Sequence, residues 1–208
     1  MEKKEKKGMN LPNKITCVRL VISFVVLVLL CMPWSALGIE EQTHKWLGIE
    51  NVEIKYIVAG ILFVIGSVTD FLDGYIARSR NLVTDFGKVM DAIADKTLVN
   101  GVLIILAYNK FIPLAVPVII ITRDIIVDSI KMASGSKGKV VAASWPGKIK
   151  TICMMVGISL TFFYGLPFRF IGNGTFVADF FVYVGTIMSV VSGIQYYLVN
   201  KDFIFTEY

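Results

Sequence analysis

The chain has 208 residues, 55% of them hydrophobic and 18% charged, with a formal net charge of +5 and a mean hydropathy of +0.69. That balance is too apolar for a soluble domain and points to lipid as the solvent. It also argues against nucleic acid as a partner, because the basic residues gather between apolar runs, where they meet anionic head groups.

Residues 1–8 read as a charged tail or a cloning remnant ahead of a single membrane domain over 9–208. Met9-Asn10-Leu11-Pro12-Asn13-Lys14-Ile15-Thr16 mixes apolar and polar residues with a proline suited to a first helical turn, which predicts a short interfacial helix on the inner leaflet. Apolar windows follow at 18–39, 54–77, 87–108, 111–132, 149–170 and 176–199. Each is close to the about 20 residues that cross a hydrocarbon core of about 30 Å. The expected class is therefore all-α, a polytopic membrane protein with six transmembrane helices plus the N-terminal interfacial helix. The first window is too long for the apolar core of a cleaved leader, although lysines precede it and Ser35-Ala36-Leu37 is vaguely like a cleavage site.

With the N-terminus inside, the cytoplasmic side receives sixteen Lys and Arg residues, Arg19 among them, and the outer side only Lys45, Lys55, Lys110 and Arg169. This bias predicts both termini inside and leaves Arg123 as the one basic residue within a span. The outer loop carries Glu40, Glu41, Glu50 and Glu53, with Trp46 as an interface anchor. The loop at 133–146 is rich in Gly, Ser and Lys, the composition of a mobile, anion-binding segment. Cys17, Cys31 and Cys153 lie in or beside apolar runs and read as packing residues, not as disulfide partners or metal ligands.

Four carboxylates stand where two spans meet the cytoplasm: Asp70 and Asp73 near the end of the second, Asp91 and Asp95 near the start of the third. An ionised Asp at mid-span costs about 2.5 to 3.5 kcal/mol, so each needs a partner, water or a task. Residues three or four apart share a helix face, and a short linker makes the two helices antiparallel neighbours, so the two acidic faces can meet. Converging carboxylates call for cations between them, and hard oxygen ligands suit Mg²⁺, Mn²⁺ or Ca²⁺. The bland alternative is an ion-paired helix interface, with Asp70 and Asp73 bridged to Arg78, Arg80, Lys88 or Lys96. Against it stand Gly66, Gly74 and Ala77 on or beside the acidic face and Gly87 one turn before Asp91, a spacing that leaves room for a nucleobase or ribose.

The run Asp70-Phe71-Leu72-Asp73-Gly74-Tyr75-Ile76-Ala77-Arg78, followed by Gly87, Asp91 and Asp95, resembles the signature of the CDP-alcohol phosphotransferase family. Six spans with both ends inside also match that family. The resemblance implies that Asp70, Asp73, Asp91 and Asp95 ligate divalent metal, Mg²⁺ or Mn²⁺ and two ions in number. It implies that Asp91 and Asp95 are catalytic, with Asp95 as general base, although a purely metal-binding role for Asp95 stays open. Asn13, Thr16, Gly74, Ala77, Arg78, Thr84 and Gly87 would then contact the CDP lipid.

Within the family, the nearest likeness is to members that join CDP-diacylglycerol to glycerol 3-phosphate. It is carried by Asn10 to Thr16 with Arg19, by Val83-Thr84-Asp85-Phe86-Gly87-Lys88, by Thr122-Arg123-Asp124 and by Gly147-Lys148-Ile149-Lys150-Thr151. Ala92, Asp124 and Lys131 depart from the common proline, glutamate and arginine of the family without removing a charge. The acceptor phosphate would be bound by Arg123, Lys131, Lys148 and Lys150. For the lysines, ordinary positive-inside charge is the competing explanation; for Arg123 it is a pair with Asp124 or Asp128. Other acceptors of the family are inositol phosphate, serine and phosphatidylglycerol. The family also implies a homodimer, and Gly157, Gly185 and Gly193 could permit close helix contacts. Readings from other classes are a cation transporter, disfavoured by the absence of an inverted repeat in the sequence, and a structural bundle of paired charges.

Overall fold

A computed structural model describes residues 10–34, 43–46, 49–80, 82, 84–136 and 144–205. Six helices account for most of them: α1 (Leu11–Cys31), α2 (Ile54–Ser79), α3 (Asp85–Tyr108), α4 (Ala115–Ser136), α5 (Trp145–Phe162) and α6 (Gly174–Phe205). Between α1 and α2 lie two short strands, β1 (Thr43–Trp46) and β2 (Ile49–Glu53), paired antiparallel with Thr43 opposite Glu53 and Trp46 opposite Ile49. This hairpin departs from the all-helical expectation. Thr, Trp, Ile and Val are the residue types that suit a pleated strand, and they outweigh the loop-like acidic composition of the segment. The charged tail at 1–8, Glu40, Glu41, the Trp46 side chain and residues 137–143 of the glycine- and lysine-rich loop lie outside the described residues.

The helices α1, α2 and α6 (to Lys201) are each long and apolar enough to cross a membrane, so the chain is membrane-embedded. Charged residues along α3, α4 and α5, among them Asp91, Asp95, Arg123, Asp124, Lys148 and Lys150, make these three less apolar.

Among the described residues no separate interfacial helix precedes the first span. The chain is helical without a break from Leu11, because Pro12 stands in the first turn, where its missing N–H is harmless. The polar residues that suggested a surface helix instead fall on one face. Asn13, Thr16, Arg19, Ser23, Val26 and Leu30 are the buried residues of α1 together with Pro12, at the three- and four-residue spacing of a helical stripe. The fifth helix is also displaced from its window. It starts at the Ser144 cap, whose side chain accepts a hydrogen bond from the Gly147 N–H, and stops at Phe162. Beyond it the chain turns through Tyr164 (φ 55°) and Gly165 (φ 80°). A Cβ at Gly165 would lie 2.3 Å from the Gly174 carbonyl carbon, so only glycine fits this reversal.

The chain forms two compact units, residues 1–101 and 102–208, with α3 running through the boundary. In the first unit, Val26, Ala59, Phe63, Ala94 and Leu98 make a core that is closed to solvent. In the second, α6 packs on α5 and α4. There a Cβ on Gly157 would lie 2.8 Å from Val182 Cγ2, and one on Gly185 would lie 2.6 Å from Met154 Sδ. These glycines therefore serve packing within the chain and do not carry the dimer expectation.

Candidate active site

Helix α2 presents Asp70 and Asp73 on one face and α3 presents Asp91 toward them. One carboxylate oxygen from each of the three lies within 4.8 Å of the other two. Asp73 is the buried member, at 3% exposure; Asp70 and Asp91 are half-buried. Thr16 Oγ1 lies 2.9 Å from Asp73 Oδ2 and 3.1 Å from the Pro12 carbonyl oxygen, so its single proton is donated to one of them at a time. Asp95 follows one turn further along α3, half-buried, and is not one of the three.

The cation at this centre is Arg19 of α1. Its two terminal nitrogens form ion pairs with Asp70 Oδ1 and Asp91 Oδ1, and the second lies 4.0 Å from Asp73 Oδ2. The residue is 1% exposed, and its carbonyl oxygen accepts a hydrogen bond from Ser23 Oγ at 2.9 Å. Counting charges by side of the membrane had put Arg19 at the cytoplasmic edge and left Arg123 as the one basic residue within a span. The distinction from Arg123 is corrected, because α1 begins seven residues earlier than its apolar window and carries Arg19 inside a helix able to cross a membrane. The readable signal was the spacing from Asn13 to Thr16 to Arg19, three residues each time.

Beside the acids opens a cleft of about 300 Å³ whose lining includes all seven residues expected to contact the CDP lipid, Asn13, Thr16, Gly74, Ala77, Arg78, Thr84 and Gly87, along with Asp73 and Asp91. Pro12, Leu82 and Lys88 line it too, and the sequence reading had assigned them no such role. Thr84 holds this wall together. Its hydroxyl oxygen accepts from Asn13 Nδ2 at 3.0 Å and from the Gly87 N–H at 3.0 Å, which caps the start of α3 and ties it to α1. A Cβ on Gly87 would stand 2.6 Å from Asn13 Oδ1, so the bond between the helices requires glycine there.

The second unit gathers the residues expected to hold an acceptor phosphate. Arg123 Nη1 donates to Asp124 Oδ1 at 2.8 Å, and Lys150 Nζ approaches both oxygens of Asp124 at 2.6 and 2.8 Å. Arg123 Nη2 donates to Ser192 Oγ at 2.6 Å, and Ser192 is hydrogen-bonded to Ser144 at 2.8 Å. Arg123 and Lys131 both lie over the Tyr196 ring, 5.9 and 5.5 Å from its centroid, whereas Lys148 lies over the ring of Trp145 at 5.4 Å. The pairing of Arg123 with Asp124 is thus present. Asp124 is shared by two cations, so the group of Arg123, Lys131 and Lys150 keeps an excess of positive charge.

Fold and site together define a membrane-embedded helical protein with an acidic centre beside a cleft. Residues 9–192 match the CDP-alcohol phosphatidyltransferase family, and the chain belongs to that family. It is 36% identical over 195 residues to the CDP-diacylglycerol–glycerol-3-phosphate 3-phosphatidyltransferase of Bacillus subtilis (strain 168), covering 93% of this chain and 96% of that one. Proteins of the same name from Mycoplasma genitalium (35% identity, 73% of this chain and 64% of that one) and Rickettsia felis (29%, 93% and 97%) are similar as well.

Proposed function

We propose that this chain transfers the phosphatidyl group of CDP-diacylglycerol to glycerol 3-phosphate, giving phosphatidylglycerophosphate and CMP in phospholipid biosynthesis. What carries the reading is the convergence of Asp70, Asp73 and Asp91 at the wall of a cleft lined by the family's nucleotide-contacting positions. The names of its relatives supply the two substrates. The proposal includes six membrane spans, with both termini and the site on the cytoplasmic side, supported by the charge bias between loops.

The acidic centre fits a divalent metal on the chemistry of its donors. Three carboxylate oxygens within 4.8 Å, already drawing a guanidinium out of water, form a hard anionic set suited to Mg²⁺ or Mn²⁺. Asp70, Asp73, Asp91 and Asp95 would hold the metal, which we propose to be two ions. When bound, such ions neutralise the diphosphate and stabilise the charge that develops as CMP leaves. The protein's own contribution is positioning. The pair Asn13–Thr84 and the small residues Gly74, Ala77 and Gly87 shape the nucleotide end of the cleft, and Arg78 contributes a fork of donors for phosphate. Asp95 is assigned as the base that takes the proton from the acceptor hydroxyl. Arg123, Lys131, Lys148 and Lys150 are assigned to the acceptor phosphate.

The purified chain in detergent, given CDP-diacylglycerol, radiolabelled glycerol 3-phosphate and Mg²⁺ or Mn²⁺, is expected to release CMP and move label into lipid. EDTA is expected to stop the reaction and excess metal to restore it. Absence of CMP release from folded protein would sink the assignment, and faster turnover with inositol phosphate, serine or phosphatidylglycerol would transfer it to that acceptor. Arg123→Ala is expected to raise the KM for glycerol 3-phosphate about 10- to 100-fold, the worth of a charge-assisted hydrogen bond. The KM for CDP-diacylglycerol should stay near its starting value. An equal rise in both would make Arg123 a structural residue.

A further inference from the structure

The acidic centre carries a cation of its own, engaged on the carboxylate oxygens a metal would use. Arg19 is 1% exposed, and an arginine so buried persists only when paired. Its partners are Asp70 and Asp91, two of the three carboxylates suited to a metal. The guanidinium fork suits this bridge, because its two terminal nitrogens can engage two carboxylates at once, whereas a lysine ammonium is a single point of charge. Its Nε has no hydrogen-bond partner among the described residues, so those ion pairs are what hold the head group.

We propose that Arg19 is the resident counter-cation of the acidic centre: it holds Asp70 and Asp91 together in the metal-free protein and is a direct competitor of divalent ions for them, so that it sets metal affinity. The proposal rests on the metal-binding reading above. A carboxylate oxygen engaged by a guanidinium has a lone pair already committed, and a fixed positive charge at ion-pair distance opposes the arrival of a second cation. Arg19 therefore stabilises α1 against α2 and α3 without metal and weakens the site's hold on metal. A residue that merely supported the ligands would do the opposite, and its loss would lower metal affinity.

The test is Mn²⁺ binding to the full chain in detergent by calorimetry, with thermal unfolding followed with and without Mn²⁺. Arg19→Gln is expected to bind Mn²⁺ about tenfold more tightly or better, a scale typical of residues adjoining metal ligands. Its metal-free Tm should fall and its gain in Tm on adding Mn²⁺ should grow. Arg19→Lys, which keeps the charge but loses the fork, is expected to lie between Arg19→Gln and the unmodified chain. Unchanged or weaker Mn²⁺ binding by folded Arg19→Gln overturns the proposal. Should Arg19→Gln fail to fold, Arg19→Lys decides, and affinity no tighter than that of the unmodified chain overturns it. Failure of the unmodified chain to bind Mn²⁺ would instead overturn the metal reading itself.

Discussion

Asp73→Asn is expected to lower CMP release about 100- to 1000-fold, the scale of losing one pre-organised electrostatic group from an active site, while leaving the protein folded. Asp73 is the least exposed acid of the trio, so water replaces it least well. The amide has nearly the same shape, and its oxygen can still accept a hydrogen bond from Thr16. Arg19 keeps its pairs with Asp70 and Asp91, so no buried charge is orphaned and the fold has no strong reason to fail. Glycerol 3-phosphate-dependent turnover, measured beside a thermal unfolding curve, checks both halves. Full activity would remove Asp73 from the site, and simultaneous loss of fold and activity would return the trio to a structural role.

A comparable loss, about 100- to 10,000-fold, is expected for Asp95→Asn, the range attributed to a general base. Asp95 lies a turn beyond Asp91 and outside the converging trio. Its replacement should therefore leave CDP-diacylglycerol binding close to that of the unmodified chain. Single-turnover rates, together with lipid and Mn²⁺ affinities, separate the roles. Slow chemistry with unchanged affinities identifies the base, a matching fall in Mn²⁺ affinity identifies a metal ligand, and full activity excludes both.

How much of this was legible beforehand depended on whether the information lay along one helix or between helices. The acids at 70, 73 and 91 were legible because helical spacing alone puts the first two on one face and a short linker brings the third opposite. The cleft was legible in part, since Gly74, Ala77 and Gly87 announce close approach without naming what approaches. For Gly87 the neighbour is Asn13, which stands 74 positions earlier. Arg19 was missed because an apolar window measures composition and not direction. A helix with one polar stripe begins where its geometry allows, at Leu11, and not where its average turns apolar. The link between Lys150 and Asp124 was hidden for the same reason, since 26 residues separate them. The hairpin before α2 gave only a faint pattern, because each of its strands is five residues or shorter.

The stripe on α1 has a consequence for how the chain is built. Arg19 is synthesised 72 residues before Asp91, one of the two acids that pair with it. An arginine at the centre of an inserted helix costs about 2.5 to 3.5 kcal/mol on insertion scales and less toward an end, and α1 carries some of that cost until α2 and α3 are made. Until then the guanidinium has no carboxylate partner, although the rest of α1 is apolar enough to span by itself. Arrival of the acidic helices supplies the partners that neutralise it. Order of synthesis and order of assembly are coupled here through one charge.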